Sequence, residues 1–366
     1  MKKKSLLILQ NTIRVYRKPL FNFLAEYYDV TVLHSGEKIL KKSDLFNEIV
    51  IPKKLVWKFN IQPKLQIRRI VRDFDVVIAM FDVHWPYYFI PLFFNRQNKY
   101  ILWGHWYSTN RLINFVRNYL MRKADKLLMY GGQEIERMIK SGISPDNIII
   151  APNTYYNKYP TDSSRSNKSS FLFIGRLQAG TGQNSKRVDL LLRAFAKIEK
   201  LIRKDIVIDI VGDGDELDGL QKLALRLGIA KKVKFYGHLD DDESLIKLFS
   251  KSIAMVSPGH VGLSVLQAFS YGVPVVTGKA IKYREETQHL LNLLTDKKVV
   301  LGPEYYNLVN EENSILVESL IELQCSLQRL CNDRNFSVKL GKNAFQFYVK
   351  KRSITHMVDG FKEAIE

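Results

Sequence analysis

Cysteine is nearly absent from this chain: only Cys325 and Cys331 occur among its 366 residues, six positions apart in a stretch of helical character. Two such residues form neither a disulfide framework nor a thiolate metal site. Low cysteine usage favours a reducing compartment, so a cytoplasmic location is expected. Long hydrophobic runs are missing as well. No uninterrupted apolar stretch approaches the roughly 18–20 residues that a spanning helix needs. The densest one, "HWPYYFIPLFF", carries Pro86 and Pro91 and reads as a core helix with proline at its start. The opening "MKKKSLLILQNTIRVYRK" has the charge of a signal peptide but not its length. Its apolar run Leu6–Leu9 ends at Gln10, which suits a first buried strand.

A third absence is local. Within "SPGHVGLSVLQAFSYGVPVV" (257–276), no Asp, Glu, Lys or Arg occurs from Pro258 to Val276. The stretch reads as a strand end, a glycine-containing turn, a short apolar helix and a Gly-x-Pro break into another strand. That layout holds an anion at a helix start, yet any charge must be supplied from elsewhere in the chain.

What is present is a globular composition, with 46% hydrophobic and 25% charged residues over a length that suits two domains. The net charge of +19 is uneven: residues 1–155 hold 25 Lys+Arg against 12 Asp+Glu, a net +13. A basic first half suits an anionic partner, and an anionic membrane surface is the one expected. The competing explanation is a solvated basic surface. No zinc-finger, RRM or helix-turn-helix signature accompanies the charge, so nucleic acid is not an expected partner.

Short β-rich runs alternate with helical periodicities throughout, the pattern of α/β domains with parallel sheets. Strands are expected at Ser5–Leu9, Val30–His34, Glu48–Ile51, Val76–Met80, Tyr100–Trp103, Lys126–Met129 and Asn147–Ala151. In the second half they are expected at Ser170–Ile174, Ile206–Val211, Lys234–Tyr236, Ile253–Val256 and Pro274–Thr277. From Ser314 the chain reads as helical, with helices over Ser314–Cys331, Phe336–Lys350 and Ile354–Ile365. Residues 156–168, rich in Ser, Asn, Thr and Pro, read as a linker between domains over 1–155 and 169–353. Two such domains leave a cleft, and ligands of open α/β sheets bind beyond the carboxyl ends of strands.

Residues at those ends are the candidates for chemistry. "FIGRLQAGTGQNSKRVDLLLRAF" puts Arg176 just past a strand and Lys186 near a helix start, two cations suited to a pyrophosphate. The competing reading is an exposed loop with two surface cations. In "IVGDGDEL", Gly212 and Gly214 allow a tight turn, with Asp213 or Asp215 capping the helix. The run Asp240, Asp241, Asp242 and Glu243 is explained by a helix start rather than a metal. In the first half, His105 follows one strand, and Asp82 and His84 follow another. Arg14, Tyr16 and Arg17 lie in the first strand-to-helix turn, either facing an acceptor or forming a basic surface turn.

The ordered set "FIGRL…KRVDLLLRAF", "IDIVGDGDEL", "VKFYGHL" and "SPGHVGLSVLQAFSYGVPVV" resembles the donor-binding half of family 4 of the retaining glycosyltransferases (glycosyl transferases group 1). "ADKLLMYGGQEIERMIKSGI" followed by "IIIAPNTY" resembles the end of that family's first domain, so the likeness extends over nearly the whole chain. The resemblance implies the glycosyltransferase B fold, two Rossmann-like domains facing across a cleft, with the helix at 354–366 returning to the first domain. It implies a first domain that binds a saccharide or lipid-linked acceptor and a second that binds a UDP- or GDP-sugar. Transfer would retain anomeric configuration, with no cofactor and no essential metal. Arg176 and Lys186 match the family's pyrophosphate-binding pair, His105 its strand-end histidine and Asn153 an asparagine before the linker. The donor set implied is Gly175, Gly259, His260, Val261, Gly262, Leu263, Ser264, Gln267, Tyr236 and Gly237, and the acceptor side Arg14, Tyr16, Arg17, Asp82 and His84.

The chain also departs from the family. Its two glutamates, eight positions apart, are replaced by Gly259 and Gln267, and the glycine after the lysine by Arg187. Gln267 can still grip ribose hydroxyls, since an amide donates and accepts. Gly259 can act only through its backbone. Arg187 either adds a third cation near the phosphates or faces solvent. Two further readings remain at this point: a sugar-nucleotide epimerase of the same fold, and a degenerate protein that binds a sugar nucleotide without turning it over.

Overall fold

The computed structural model describes residues 2–94, 96–104, 110–164, 167–178, 186–282, 290–299 and 302–366. The chain divides into two compact units. One holds Met1–Tyr156 together with Ile354–Glu366, and the other holds Asn157–Ser353.

The described residues of the first unit build a seven-stranded sheet. Its strands are β1 (Ser5–Leu9), β2 (Asp29–His34), β3 (Asn47–Val50), β6 (Val76–Met80), β7 (Lys99–Gly104), β8 (Lys126–Met129) and β9 (Ile148–Ile150), in the order β3-β2-β1-β6-β7-β8-β9. Every neighbouring pair is parallel. Such strands are covered on both faces, and Leu6–Leu9 are all buried. One face packs on the helix Lys18–Ala25 and the C-terminal helix Ile354–Ile365, which contributes Met357, Val358, Phe361, Ala364 and Ile365 to the core. The other packs on Lys64–Arg72 and Arg111–Lys123. Between β3 and Lys64 lies an antiparallel hairpin, β4 (Lys54–Val56) and β5 (Phe59–Ile61), with Trp57 in its turn. Nothing in the alternation of the sequence announced it.

The second unit holds β10 (Ser170–Ile174), β11 (Val207–Val211), β12 (Val233–Phe235), β13 (Ser252–Val256), β14 (Val275–Gly278) and β18 (Ser314–Val317), ordered β12-β11-β10-β13-β14-β18 and again parallel. A small antiparallel sheet of β15 (Ala280–Lys282), β16 (Leu290–Asn292) and β17 (Lys297–Val299) follows β14.

The structure corrects two expectations. Residues 314–317 are a strand rather than the start of a helix, because "SILV" pairs along β14. The helix begins at Leu320, where Ser319 caps the Glu322 amide and Glu322 reaches back to the Glu318 amide. The segment 84–94 is not one helix but two 3₁₀ turns, Pro86–Tyr88 and Ile90–Phe93. Pro91 lacks the N–H that would continue the first turn. Within the expected linker, Asn157 donates to the Ser270 hydroxyl, and the Thr161 and Ser163 amides donate to the Ser270 and Tyr271 carbonyls.

Phe361 is fully buried and meets Trp103 edge-on at 4.9 Å. Phe361→Ala should therefore destabilise the first unit by about 3–5 kcal/mol. A lower urea midpoint, followed by tryptophan emission, checks this.

Candidate functional site

Parallel strands release their chain at one edge, and the second unit gathers its polar turns there. Gly175 and Arg176 follow β10, Gly212–Gly214 follow β11, and Ser257–Gly262 follow β13. The turn after β11 is pressed against the turn after β10. A Cβ on Gly212 would collide with the Gly175 carbonyl oxygen, and one on Gly214 with that of Leu177. The two glycines thus let a neighbouring backbone approach. The Leu177 amide donates to the Asp213 carbonyl at 2.8 Å, fixing the turn that carries Arg176. Asp213 accepts from the Gly214 amide, and the N-cap residue of the helix Leu217–Arg226 is Glu216, which makes no side-chain cap.

These turns line a cleft of about 380 Å³. Gly175, Arg176, Lys186, His260, Gly262, Leu263, Ser264 and Gln267 all contribute to it. The Lys186 ammonium donates to the His260 carbonyl at 2.7 Å, and the Lys186 carbonyl accepts the Gly259 amide at 3.0 Å. Burial, reinforced by the Arg176 charge, lowers the Lys186 pKa to about 8, with Glu304 opposing the shift. Arg176 is exposed and forms no ion pair among the described residues. Arg187 supplies no third cation to the cleft. Its guanidinium grips Asp189 through two bonds, 2.8 and 3.0 Å, on its own helix. Its backbone is left-handed, with φ 52°, a conformation that glycine adopts without strain.

At the other end of the cleft the short helix Ser264–Phe269 begins without a side-chain cap. Among the described residues, the Gly262, Leu263 and Ser264 amides have no protein acceptor, and a Cβ on Gly262 would meet open space. Gln267 is only 7% exposed, yet its side-chain amide makes no hydrogen bond among the described residues. Gly259 and Val261 are buried behind this lining. Tyr236 and Gly237 stand outside it. The Tyr236 hydroxyl donates to buried Asp209 at 2.9 Å, and the Gly237 carbonyl accepts the Gly212 amide. Asp241 caps the helix Asp242–Lys251, and among the described residues no group of three or more His, Cys, Asp or Glu side chains could hold a metal ion.

In the first unit the acceptor-side candidates divide. Asp82 and His84 form a pair, with His84 Nδ1 2.9 Å from Asp82 Oδ1, while Asn11 donates to Asp82 Oδ2 at 2.9 Å. An ionised carboxylate only accepts, so Nδ1 carries a proton in this pair, and in the neutral imidazole Nε2 is the acceptor. Arg14 and Tyr16 are exposed in their turn. Arg17 does not face a ligand: it is buried, donates to the Tyr130 hydroxyl at 2.7 Å and lies 4.7 Å over Trp103. Asn153 is buried in the turn after β9. His105 lies outside the described residues.

Two residues escaped the sequence. Asn11 sits directly past β1, and the strand-end rule that selected Arg176 and Asp82 would have found it. Glu304, a buried carboxylate from the 3₁₀ turn Pro303–Asn307, acts on Lys186 across more than a hundred residues, and no local pattern marks it.

Residues 160–298 match the family described as Glycosyl transferases group 1. An uncharacterized glycosyltransferase of Methanocaldococcus jannaschii is 34% identical over 124 residues, which cover 33% of this chain and 30% of that protein. The first curated relatives are matched over 30–41% of their own length. Solved structures match over nearly the whole chain. The Anabaena Alr3699/HepE structure in complex with UDP has a TM-score of 0.74 at 16% identity, covering 99% of each chain. WaaG, a glycosyltransferase involved in lipopolysaccharide biosynthesis, has a TM-score of 0.62 at 16% identity, covering 98% of this chain and 99% of that one. The α/β fold with two parallel sheets is that of glycosyltransferase B structures.

Lys186 sets a pH dependence of two signs. Anion binding in the cleft should weaken as pH rises through about 8, as the ammonium deprotonates. Free of ligand, the buried charge disfavours the fold below about 8, and this penalty is relieved as pH approaches the ordinary lysine value of 10.5. Calorimetry of nucleotide binding and thermal melts across that range read the two effects. At position 187, both Arg187→Ala and Arg187→Gly lose the Asp189 pair, but only alanine keeps the strain. The alanine variant should be less stable by about 1 kcal/mol, read from their denaturant midpoints.

Proposed function

We propose that this chain is a retaining, metal-independent glycosyltransferase that moves a hexose from a nucleotide-diphosphate sugar to a hydroxyl of a saccharide or lipid-linked acceptor in surface polysaccharide synthesis. The observation that carries this reading is the 380 Å³ cleft, where Arg176, Lys186 and the amides of Gly262, Leu263 and Ser264 line one wall system without a carboxylate among them. The Glycosyl transferases group 1 match over residues 160–298 supports it. A departing nucleoside diphosphate develops negative charge, and two fixed cations with oriented amides stabilise that charge without reorganising. Gln267 takes the ribose hydroxyls, donating and accepting through its amide. Glu304 opposes the lowering of the Lys186 pKa and so favours its ammonium form.

UDP is the expected nucleotide, supported by neighbours of this fold in complex with UDP and UDP-glucose. On the acceptor side the reading assigns a hydroxyl to the Asp82–His84 pair, whose Nε2 accepts its proton.

Turnover of a panel of UDP- and GDP-sugars, with product analysis, tests the reading. Arg176→Ala and Lys186→Ala should each lower kcat/KM by about 10²–10³, or about 2.7–4 kcal/mol, and a chelator should leave turnover unchanged. Wild-type donor binding and turnover in both variants would remove the phosphate assignment. Sugar isomerisation without acceptor would identify an epimerase instead, and donor binding without any turnover a non-catalytic protein.

A further inference from the structure

The first unit carries a surface that its own stability does not explain. The turn of the β4–β5 hairpin presents Trp57 at 82% exposure, flanked by exposed Leu55, Val56 and Phe59. Trp57 adopts a left-handed backbone, φ 55°, where glycine or asparagine would sit with less strain. Opposite the hairpin, the helix Arg111–Lys123 shows a second apolar stripe. Phe115 and Val116 lie three and four positions after Leu112, and Tyr119 four and three positions after them, and Leu112 and Phe115 are 79% and 74% exposed. The core-facing side of this helix buries Asn114, Leu120 and Met121, and Leu120 also lines the groove beside the stripe. Trp57, Phe59, Phe93, Leu112 and Val116 line a single open groove of about 630 Å³, and Phe93 stacks on Tyr119 at 6.0 Å.

The chain segments that carry this face are basic. Residues 51–72 contain seven Lys or Arg and no Asp or Glu, and residues 110–123 contain four and none. Lys53, Lys54, Lys58, Lys64, Arg111 and Arg122 are exposed. An apolar protein partner would match the groove but leave these cations unanswered. A soluble polyanion would match the cations but leave Trp57 and Phe115 in water. An anionic bilayer answers both: indole and aliphatic groups enter the boundary between headgroups and acyl chains, while long basic side chains reach the phosphates. No helix among the described residues is long and apolar enough to cross a membrane, so this contact is made from one side.

We propose that the first unit docks on an anionic lipid bilayer by inserting the Trp57 hairpin turn together with the Leu112–Tyr119 stripe. This deepens the lipid-linked acceptor reading, but its test is separate from it, because vesicle binding is read with no sugar nucleotide present. Donor turnover and docking can each fail while the other holds.

The test is co-sedimentation of the full chain with vesicles of phosphatidylcholine alone, and of phosphatidylcholine with about 30% phosphatidylglycerol. Binding is expected to the anionic vesicles only, and to weaken by about tenfold or more between about 0.1 M and 0.5 M salt. Trp57→Ser and Phe115→Ser, both at exposed positions, should each weaken it several-fold, as should the combined Lys53→Gln, Lys54→Gln and Lys58→Gln. Tryptophan emission should shift to the blue on vesicle binding, and Trp57→Ser should lose most of that shift. Equal binding to both vesicles insensitive to salt, or variants that sediment like the wild type, would overturn the proposal. A concentration-dependent dimer in lipid-free sedimentation velocity, abolished by Trp57→Ser, would assign the face to a second copy and also overturn it.

Discussion

The ammonium of Lys186 is the constraint on which the cleft of the second unit depends. It is taken largely out of water, and a buried charge is tolerated only when something nearby answers it. The His260 carbonyl answers part, at 2.7 Å, and Glu304 part through its field. The same residue's carbonyl holds the Gly259 amide, so the loop after β13 is fastened to position 186 at two successive points. That fastening sets the loop from which the short helix Ser264–Phe269 begins. A bound anion would favour the ammonium, whose pKa burial and then the Arg176 charge lower while Glu304 opposes them.

The remaining geometry follows from parallel strands. Each β–α turn emerges at the same edge, so residues far apart in the chain become neighbours. Gly212 and Gly214 let the turn after β11 press on the one after β10, and the Arg176 backbone is held by that contact. The first unit repeats the device with different side chains. Neighbouring strands β1 and β6 deliver Asn11 and Asp82 to one place, and Asp82 in turn orients His84. One unit therefore concentrates positive charge in its cleft, and the other holds a carboxylate–imidazole pair at its strand ends.

His84 also borders the apolar groove of the first unit, with Phe59 6.3 Å away. A polar pair at the rim of an apolar, basic face suits a hydroxyl presented from a lipid surface. The net +13 of the first 155 residues gains a location from this arrangement. Much of it lies on the hairpin segment and the helix Arg111–Lys123, beside exposed aromatic groups, rather than spread as a solvated coat.

Amino-acid order by itself determined the βα alternation, because buried parallel strands require runs such as "SLLIL" and "SFLFI" that are legible one residue at a time. It also pointed to Arg176 past a strand and Lys186 near a helix start, while Gln267 was pointed out only by the family resemblance. Local rules failed where a distant partner decides conformation. "SILV" at 314–317 became a strand only because β14 was there to pair with it, and the β4–β5 hairpin carries too few residues for a periodicity. Tertiary structure alone decided which cations are available. Arg187 is captured by Asp189 and Arg17 by Tyr130 and Trp103, while Arg176 is left unpaired among the described residues. It alone brought Glu304 within electrostatic reach of Lys186, because charge acts through space while a motif is read along the chain.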